Sequence, residues 1–592
     1  MTRLVSEPFR KQVTATKGSV FYRTHSYHTK VPPEGIVPMI EHYTDPGDNV
    51  LDPFCGSGMT GVAAMLSGRF GILSDLSPAA VHISRGHTAA PAPAEVARAG
   101  GELLESFVSL EAELYGTTCA HCKSAARIEY TVWSDQVSCP FCSATMLFWD
   151  AARLPDGTLT KDLDCQNCHR KFRKADSQIS DAQPVLVSVA CPSCKVRDQR
   201  PINPTEAEIA LRPRRGMIQD WYPTAPLETW REMWRGQHGK MGIRTAADFF
   251  TDRNLQALAA VWAAARRSDQ STSLSFAVTA VINRASRRYQ WNPKRPTNVL
   301  SGTLYIASLT YEFNVFSLLR RKLAAVQRLA VAEAGAPGSS VVTQRSATAL
   351  TGVENKSIDY VFTDPPFGAN IYYSDASFLW EAWLDDFTLT AEEAIVSTSL
   401  KPSDGGKSLA DYESLMAASF GEVVRVLKPE AWASVMFHNS DDAVWSSLER
   451  ALESAGLKLE SAIAFDKSQP SFKGVKQITN QERVSSFDLV LHLRPQGKGK
   501  KKARGLDDLS AANQAEILES LRNHLVTAPP RLRSTPYLHS FVMRVLLEKG
   551  WPFTGFSYTH VETLLSTNFR YSNGTWDAAR LPSGGPTTKE SF

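Results

Sequence analysis

NVLDPFCGSGMTG, residues 49–61, reads as a short apolar strand that ends in a glycine-rich turn and enters a helix. Glycine at such a turn lets the backbone bend tightly and lets a ligand approach it closely. A second strand, residues 70–75, ends in Asp75, whose carboxylate can accept hydrogen bonds from both hydroxyls of a ribose. Strand, glycine turn, helix, strand and acid in this order predict a ligand across the carboxyl ends of an α/β sheet.

DYVFTDPPF, residues 359–367, is a second strand that runs into a turn, and its Asp364 lies 312 residues after Asp52. Two prolines fix φ at about −65°, so this turn is rigid and aims a backbone carbonyl. A turn of this kind suits chemistry on an exocyclic amine of a nucleic-acid base. Such an amine is a poor nucleophile because its lone pair is delocalised into the ring. The Asp364 carboxylate and the carbonyl can draw its protons out of the ring plane. Phe367 offers a stacking face, and a duplex base must be flipped out to reach it.

The two motifs together resemble the S-adenosylmethionine-dependent amino DNA methyltransferases, which modify adenine N6 or cytosine N4. The resemblance implies a Rossmann-like class I methyltransferase sheet and double-stranded DNA as the partner. It implies cofactor contacts from Lys30, Asp52, Pro53, Phe54, Gly56, Gly58, Asp75 and Ser346, and a catalytic turn formed by Asp364, Pro365, Pro366 and Phe367. Ser346 stands where the family often has an acid that contacts the adenine of the cofactor, so that contact is altered here.

Three further segments carry the resemblance. SYHTKVPPEG, residues 26–35, is similar to the family segment that closes over the methionine end of the cofactor, with Lys30 and Pro33 as candidates. Residues 249–261 and 363–375 resemble a group of large prokaryotic DNA methylases. DPP rather than SPP in the catalytic turn favours adenine over cytosine. We expect a cytoplasmic, nucleoid-associated protein, and restriction, phage-defence or housekeeping methylation are all left open.

Other functions are compatible with parts of the pattern. Gly61 completes a literal GxGxxG, which a dinucleotide-binding enzyme would also show, but the DPF lead-in and the DPPF turn disfavour that interpretation. An RNA base methyltransferase is a second alternative, which the large insertion between the motifs disfavours. A non-catalytic zinc-stabilised nucleic-acid binder is a third, and the intact catalytic turn argues against it.

Eight of the nine cysteines form CxxC pairs, and the ninth, Cys55, lies in the glycine turn. Two CxxC turns can complete a tetrahedron of thiolates around Zn²⁺. Sixteen residues separate the first two pairs and twenty-two the last two, so sequential pairing into two structural zinc ribbons is the simplest prediction. An interleaved pairing is the alternative. The predicted ligands are Cys119, Cys122, Cys139, Cys142, Cys165, Cys168, Cys191 and Cys194.

Strands and helices alternate in two parts of the sequence that are separated by a long insertion, which predicts an interrupted catalytic domain. We expect its first part at residues 1–90, the two zinc ribbons at 91–200, a target-recognition region at 201–300 and its second part at 301–494, with a long helix over 304–333. Residues 495–505 read as a basic linker. Residues 506–592 read as a mostly helical tail, either a winged-helix module or a helical appendage.

The net charge of +4 is too small to define a nucleic-acid surface by itself, so local clusters have to supply it. Two stretches of the insertion interleave cations with aromatic residues, a composition that suits phosphate contact and base stacking. Their candidate contacts are Arg212, Arg214, Arg215, Arg287, Arg288, Trp291 and Lys294. A solvated basic face is the alternative for each. No run of apolar residues is long enough to span a bilayer, and the first residues lack the apolar core of a secretory signal.

Overall fold

The computed structural model describes residues 4–11, 13–16, 18–154, 158–292, 304–369, 371–397, 400–437, 441–466, 487–496, 511–549, 551, 558–572 and 574–578. Lys294 and the basic linker after residue 496 lie outside these residues. The strands are β1 Val13–Thr14, β2 Asn49–Asp52, β3 Phe70–Asp75, β4 Gly116–Thr118, β5 Ala125–Ser138, β6 Thr145–Leu147, β7 Asp162–Asp164, β8 Lys171–Arg173, β9 Gln178–Ala190, β10 Arg197–Pro201, β11 Leu309–Phe313, β12 Ser339–Gln344, β13 Ile358–Thr363, β14 Leu427–Phe437, β15 Leu457–Asp466, β16 Phe487–Pro495, β17 Arg570–Ser572 and β18 Thr575–Asp577.

The helices before the tail are α1 Val20–Arg23, α2 Pro33–Tyr43, α3 Met59–Leu66, α4 Pro78–Thr88, α5 Pro93–Ser106, α6 Val108–Tyr115, α7 Phe148–Ala152, α8 Pro204–Leu211, α9 Gly236–Lys240, α10 Asp252–Arg267, α11 Ser271–Ala285, α12 Val315–Glu333, α13 Tyr373–Ala376, α14 Phe378–Leu384, α15 Leu409–Val426 and α16 Asp442–Ser454. Those of the tail are Ala511–Thr527, Thr535–Lys549 and Tyr558–Asn568.

The larger sheet has the strand order β1-β15-β16-β14-β13-β2-β3-β12. Its neighbours are parallel except at β16, which runs antiparallel to both β14 and β15. Every residue of β13 is buried, with Tyr360 and Phe362 in one hydrophobic core and Val361 in another. Burial on both faces is typical of parallel strands covered by helices. The α/β class expected from the sequence is confirmed.

A second sheet lies in the segment between the two motifs, with the order β10-β9-β5-β11 and with β4 and β6 also paired to β5. Arg253 of α10 joins it to the helices through a buried ion pair with Glu312 of β11. The Glu312 carboxylate also accepts a hydrogen bond from the indole N–H of Trp133 at 2.7 Å. Because both charges are buried, the loss of either partner leaves the other uncompensated.

The long helix expected over residues 304–333 begins only at Val315, because residues 309–313 form β11. This strand is rich in aromatic and β-branched residues, which favour a pleated, buried strand, and all five of its residues are buried. It pairs with β5, so this stretch of the predicted second catalytic part belongs to the second sheet.

The tail consists of its three helices and the β17–β18 hairpin. Apolar residues of these helices, including Leu538 and Val542, share a hydrophobic core with Leu457 and Ala462 of β15. The described part of the tail is therefore mostly helical, as expected, and it packs on the larger sheet. Among the described residues, no helix is both long enough and apolar enough to cross a membrane.

Candidate active site

The two sequence motifs meet at the point where the strand order of the larger sheet reverses. The glycine turn follows β2, the proline turn follows β13, and these strands are neighbours with Val361 opposite Leu51. From this pair the chain continues outward through β3 and β12 on one side and through β14 on the other. The crevice at such a reversal, outside the carboxyl ends of the strands, is the usual ligand site of open α/β sheets.

A hydrogen bond joins the two motifs directly. The hydroxyl of Thr363, the residue before Asp364, donates to Oδ1 of Asp52 at 2.8 Å. Asp52 is 3% exposed, and its carboxylate also accepts from the Thr60 hydroxyl at 2.6 Å and the Phe54 N–H at 3.1 Å. Burial raises the pKa of Asp52 to about 7. Asp52 thus ties the glycine turn to the catalytic strand.

One pocket spans both motifs, with an empty space of about 970 Å³ including its opening to solvent. Of the predicted cofactor and catalytic residues it is lined by Lys30, Asp52, Pro53, Phe54, Gly56, Asp75, Ser346, Asp364 and Pro366. Gly58, Pro365 and Phe367 are not among its lining residues. The structure therefore gathers most of the predicted site, which comes from five separate stretches of the chain, around one space.

The glycine turn is formed as the motif predicts. Gly56 and Gly58 have positive φ values of 49° and 80°. A side chain at Gly58 would place its Cβ 2.9 Å from the Cα of Ser84, so helix α4 packs directly against this turn. At Gly56 a Cβ would lie 3.0 Å from the ring of Tyr27. A larger residue at Gly58 would therefore collide with α4, and one at Gly56 would crowd the pocket beside Tyr27.

Asp75, at the end of β3, is oriented by the backbone on both sides. Its Oδ2 accepts from the Gly56 N–H at 2.9 Å, and its Oδ1 accepts from the Ser77 N–H at 2.9 Å. Burial raises the pKa of Asp75 to about 6. Ser77 in turn donates its hydroxyl to the buried Glu381 at 2.7 Å, which fixes the loop that carries Asp75.

Lys30 lines the pocket, but its ammonium group is already engaged. Nζ donates to the carbonyls of Phe21, Tyr22 and His25 at 3.3, 3.0 and 2.9 Å. The side chain is buried, and this burial lowers the pKa of Lys30 to about 7. Since an ammonium group has three donors, these three carbonyls satisfy it. Lys30 therefore braces the N-terminal segment that forms one wall of the pocket.

The proline turn carries one contact that the sequence did not indicate. The hydroxyl of Tyr412 on α15 donates to the carbonyl of Pro366 at 2.8 Å, and Tyr412 is fully buried. Burial raises the pKa of Tyr412, so the hydroxyl keeps its proton and acts as the donor. Tyr412 lies 46 residues after Pro366 on a predicted helix, and no motif marks it.

Phe367 was expected to offer a stacking face, but its ring is turned into the core. It is 8% exposed and packs edge-to-face on Phe437, with ring centroids 5.3 Å apart. Tyr373 is an aromatic residue that lines the pocket within electrostatic range of Asp364. The pocket is also lined by residues that the sequence analysis did not name, among them Tyr27, Thr29, Thr388 and Glu393. Of these four, only Tyr27 and Thr29 lie within a segment that the resemblance covers. Ser346 lines the pocket, and its hydroxyl pairs with that of Thr348 at 2.8 Å.

The eight paired cysteines form two clusters, each with four Sγ atoms within 4.8 Å of one another. One contains Cys119, Cys122, Cys191 and Cys194, and the other contains Cys139, Cys142, Cys165 and Cys168. The sequential pairing expected from the spacing is therefore wrong, and the arrangement is nested rather than interleaved. The reason is the antiparallel pairing of β5 with β9, in which Arg127 opposes Ala190 and Ser138 opposes Gln178. The start of β5 therefore lies beside the end of β9, which brings the first CxxC pair to the fourth and the second pair to the third.

All four CxxC turns have the same backbone. The residue after each second cysteine has positive φ, namely Lys123, Ser143, His169 and Lys195. Its N–H donates to the carbonyl of the first cysteine at 2.9–3.1 Å. This turn directs both thiols of a pair to the same side. Four thiols in a closed cluster are the donor set of a structural zinc site. Cys55 belongs to neither cluster and is buried in the glycine turn.

The predicted DNA contacts do not form one exposed surface. Arg288 and Trp291 are each 5% exposed, so neither presents a surface to DNA. Arg215 forms ion pairs with Asp248 and Asp252 at 2.5 and 3.1 Å. Arg287 is partly buried, and its guanidinium donates to the Asp248 carbonyl. Arg212 and Arg214 are exposed, and for them the contact stays a prediction.

Residues 7–85 match a family model for DNA methylases of the N6/N4 type. The matched stretch contains the N-terminal segment around Lys30, the glycine turn and Asp75. The resemblance to amino DNA methyltransferases is thereby confirmed over the part of the chain that carries the first motif. No curated protein matches the sequence.

Proposed function

We propose that this chain, whose residues 7–85 match the family model of N6/N4 DNA methylases, transfers the methyl group of S-adenosylmethionine to an exocyclic amino group of a DNA base, with adenine N6 preferred. The observation that carries the proposal is the shared pocket, in which the glycine turn and Asp75 lie beside Asp364 at the reversal point of the sheet. The larger sheet, with strands from residues 13–75 and 339–495, forms the Rossmann-like catalytic part, and the segment between them carries Arg212 and Arg214, the exposed candidates for target recognition.

The residues that line the pocket are chemically suited to bind the cofactor. The left-handed glycines leave room for a ligand against the backbone, and Asp75 presents a carboxylate at the ribose position. When bound, S-adenosylmethionine supplies a methyl group activated by a sulfonium. The carboxylates that line the pocket, including Asp364 and Glu393, suit a cofactor that carries positive charge. Ser346 lines the pocket and stands where the family often has an acid, so the contact with the adenine end of the cofactor is altered in this proposal.

The chemistry of this chain's own residues centres on Asp364. Its carboxylate accepts one amine hydrogen of the flipped base, and a carbonyl of the proline turn accepts the other. These hydrogen bonds pull the amine out of conjugation, so its lone pair becomes available to the methyl group. Thr363, held by Asp52, fixes the strand end from which Asp364 projects.

We propose a structural Zn²⁺ ion in each cysteine cluster. Four thiolates close the coordination sphere and leave no position for water, so the ions serve stability rather than catalysis. The two clusters lie at opposite ends of the β5–β9 ribbon. The paired stretch from Arg127 to Ser138 spans roughly 35 Å at about 3.3 Å per residue.

The direct test uses the purified chain, methyl-labelled S-adenosylmethionine and unmethylated genomic DNA. Label in DNA, recovered by nucleoside mass spectrometry as N6-methyladenine, is the expected result. Recovery as N4-methylcytosine would correct the base and keep the reaction class. Label in RNA but not in DNA would overturn the proposal.

Tyr412→Phe tests whether the hydroxyl bound to Pro366 positions the catalytic turn. We expect kcat to fall about fivefold, the equivalent of one hydrogen bond of ~1 kcal/mol, with the KM for S-adenosylmethionine unchanged. The matched control is Tyr360→Phe, because Tyr360 is also fully buried and donates its hydroxyl to Ser434 at 2.6 Å, away from the turn. Equal losses of kcat in the two variants, measured with their melting temperatures, would reduce Tyr412 to a structural role.

A further inference from the structure

Four cations from three distant segments come together on one side of the second sheet. They are Arg197 on β10, Arg284 on α11, and Arg321 and Lys322 on α12, and we call them the basic patch. Burial lowers the pKa of Arg321, and the nearby charges of Arg284 and Arg197 lower it further. Burial lowers the pKa of Lys322 to about 8, and Arg284 again adds to the effect. Arg321 therefore lies within electrostatic range of Arg284 and Arg197, and its neighbour Lys322 lies within range of Arg284.

The patch is not neutralised by ion pairs within the described part of the chain. None of its four cations has a carboxylate within ion-pair distance there. The nearest acid to Arg321 is Glu129, whose carboxylate already binds Arg127 at 2.9 Å and the Ser317 hydroxyl at 3.1 Å. The Arg284 guanidinium lies 4.7 Å from the ring centroid of Phe313 instead of against an acid. Uncompensated repulsion of this kind is relieved by an anionic partner.

The patch reaches the wall of the active-site pocket. Lys322 Nζ donates to the carbonyl of Thr24 at 2.7 Å, just before the segment in which Tyr27 and Thr29 line the pocket. At its other end, Arg197 lies three residues beyond the cysteine cluster that contains Cys194. The patch therefore runs from the cysteine-braced sheet to the entrance segment of the site.

We infer that the basic patch binds the phosphate backbone of the duplex DNA whose base enters the pocket. The inference rests on the proposed DNA methylation and adds the surface that holds the substrate. It places the contact on residues that no sequence cluster marked. Cations that are not paired with carboxylates bind phosphates regardless of the base sequence. The basic patch therefore positions the DNA and does not recognise its sequence.

The test compares two double variants that remove the same charge. Arg197→Ala with Arg321→Ala removes the two exposed members of the patch, and Lys458→Ala with Arg570→Ala removes two exposed cations that belong to no predicted DNA contact. Binding of a short fluorescein-labelled duplex of random sequence is measured by anisotropy at several salt concentrations. The patch variant should bind about tenfold more weakly, and its slope of log K against log salt should fall by about 2. Arg197→Lys with Arg321→Lys should retain most of the binding, because the charges remain.

Each outcome decides the inference. Equal weakening in both alanine variants would mean that only net charge matters and would overturn the localisation. Unchanged binding in the patch variant, while the wild type still methylates DNA, would overturn the inference and leave the proposed function intact. A wild type that neither binds nor methylates DNA would overturn the proposed function. Tighter binding of duplex RNA than of duplex DNA would overturn the choice of partner. Unchanged circular dichroism and melting temperature check that the variants are folded.

Discussion

Asp364→Ala will reduce methyl transfer by about a thousandfold while S-adenosylmethionine still binds. The substitution removes the carboxylate that accepts an amine hydrogen in the transition state, and the loss of one such preorganised group typically costs about 10²–10³ in kcat. The wall formed by the glycine turn and Asp75 is untouched, so the cofactor Kd should stay within about twofold, since an interaction made only in the transition state does not contribute to ground-state binding. Single-turnover transfer and calorimetric binding measure the two quantities separately.

Asp364→Asn provides the graded control. Its amide keeps one acceptor oxygen of nearly the same shape, so the rate should lie between those of the wild type and Asp364→Ala. Asp75→Ala should show the opposite pattern, with cofactor affinity lost first, because Asp75 lies on the cofactor side of the pocket. Wild-type turnover in Asp364→Ala would contradict the mechanism.

Metal analysis should find two zinc ions per chain, and their removal should strongly destabilise the second sheet. The clusters lie at the two ends of the β5–β9 ribbon, where they hold the strand ends together. Structural zinc sites contribute folding energy directly, so a chelator should lower the melting temperature. A metal content of one or zero would contradict the assignment of two zinc sites.

Paired cysteine substitutions test the nested arrangement itself. Cys122→Ser with Cys191→Ser alters only one cluster, so one zinc ion should remain. Cys122→Ser with Cys139→Ser alters both clusters, so both ions should be lost. A sequential arrangement predicts the reverse result for the two double variants. The two pairs of substitutions are chemically identical, so metal content per folded chain distinguishes the arrangements.

The catalytic motifs were predictable because their chemistry is local. The left-handed glycines 56 and 58 and the rigid proline turn at 364–367 are set by the conformational limits of those residues. The grouping of the eight cysteines into four-thiol clusters was likewise predictable from the CxxC pairs. By contrast, the sequence predicts a cofactor contact for Lys30 but does not show that its three N–H donors bind the carbonyls of its own segment. A sequence does not show which acceptors surround a buried ammonium group.

The sequence by itself determined the α/β class, the glycine turn, the proline turn and the grouping of the cysteines into four-thiol clusters. These follow from residue type and short spacing. Only the tertiary structure decided that Thr363 bonds to Asp52 across 311 residues, that the cysteine clusters are nested, and that Tyr412 holds the Pro366 carbonyl. Each of these depends on strand register or helix packing between distant segments, which local pattern does not encode.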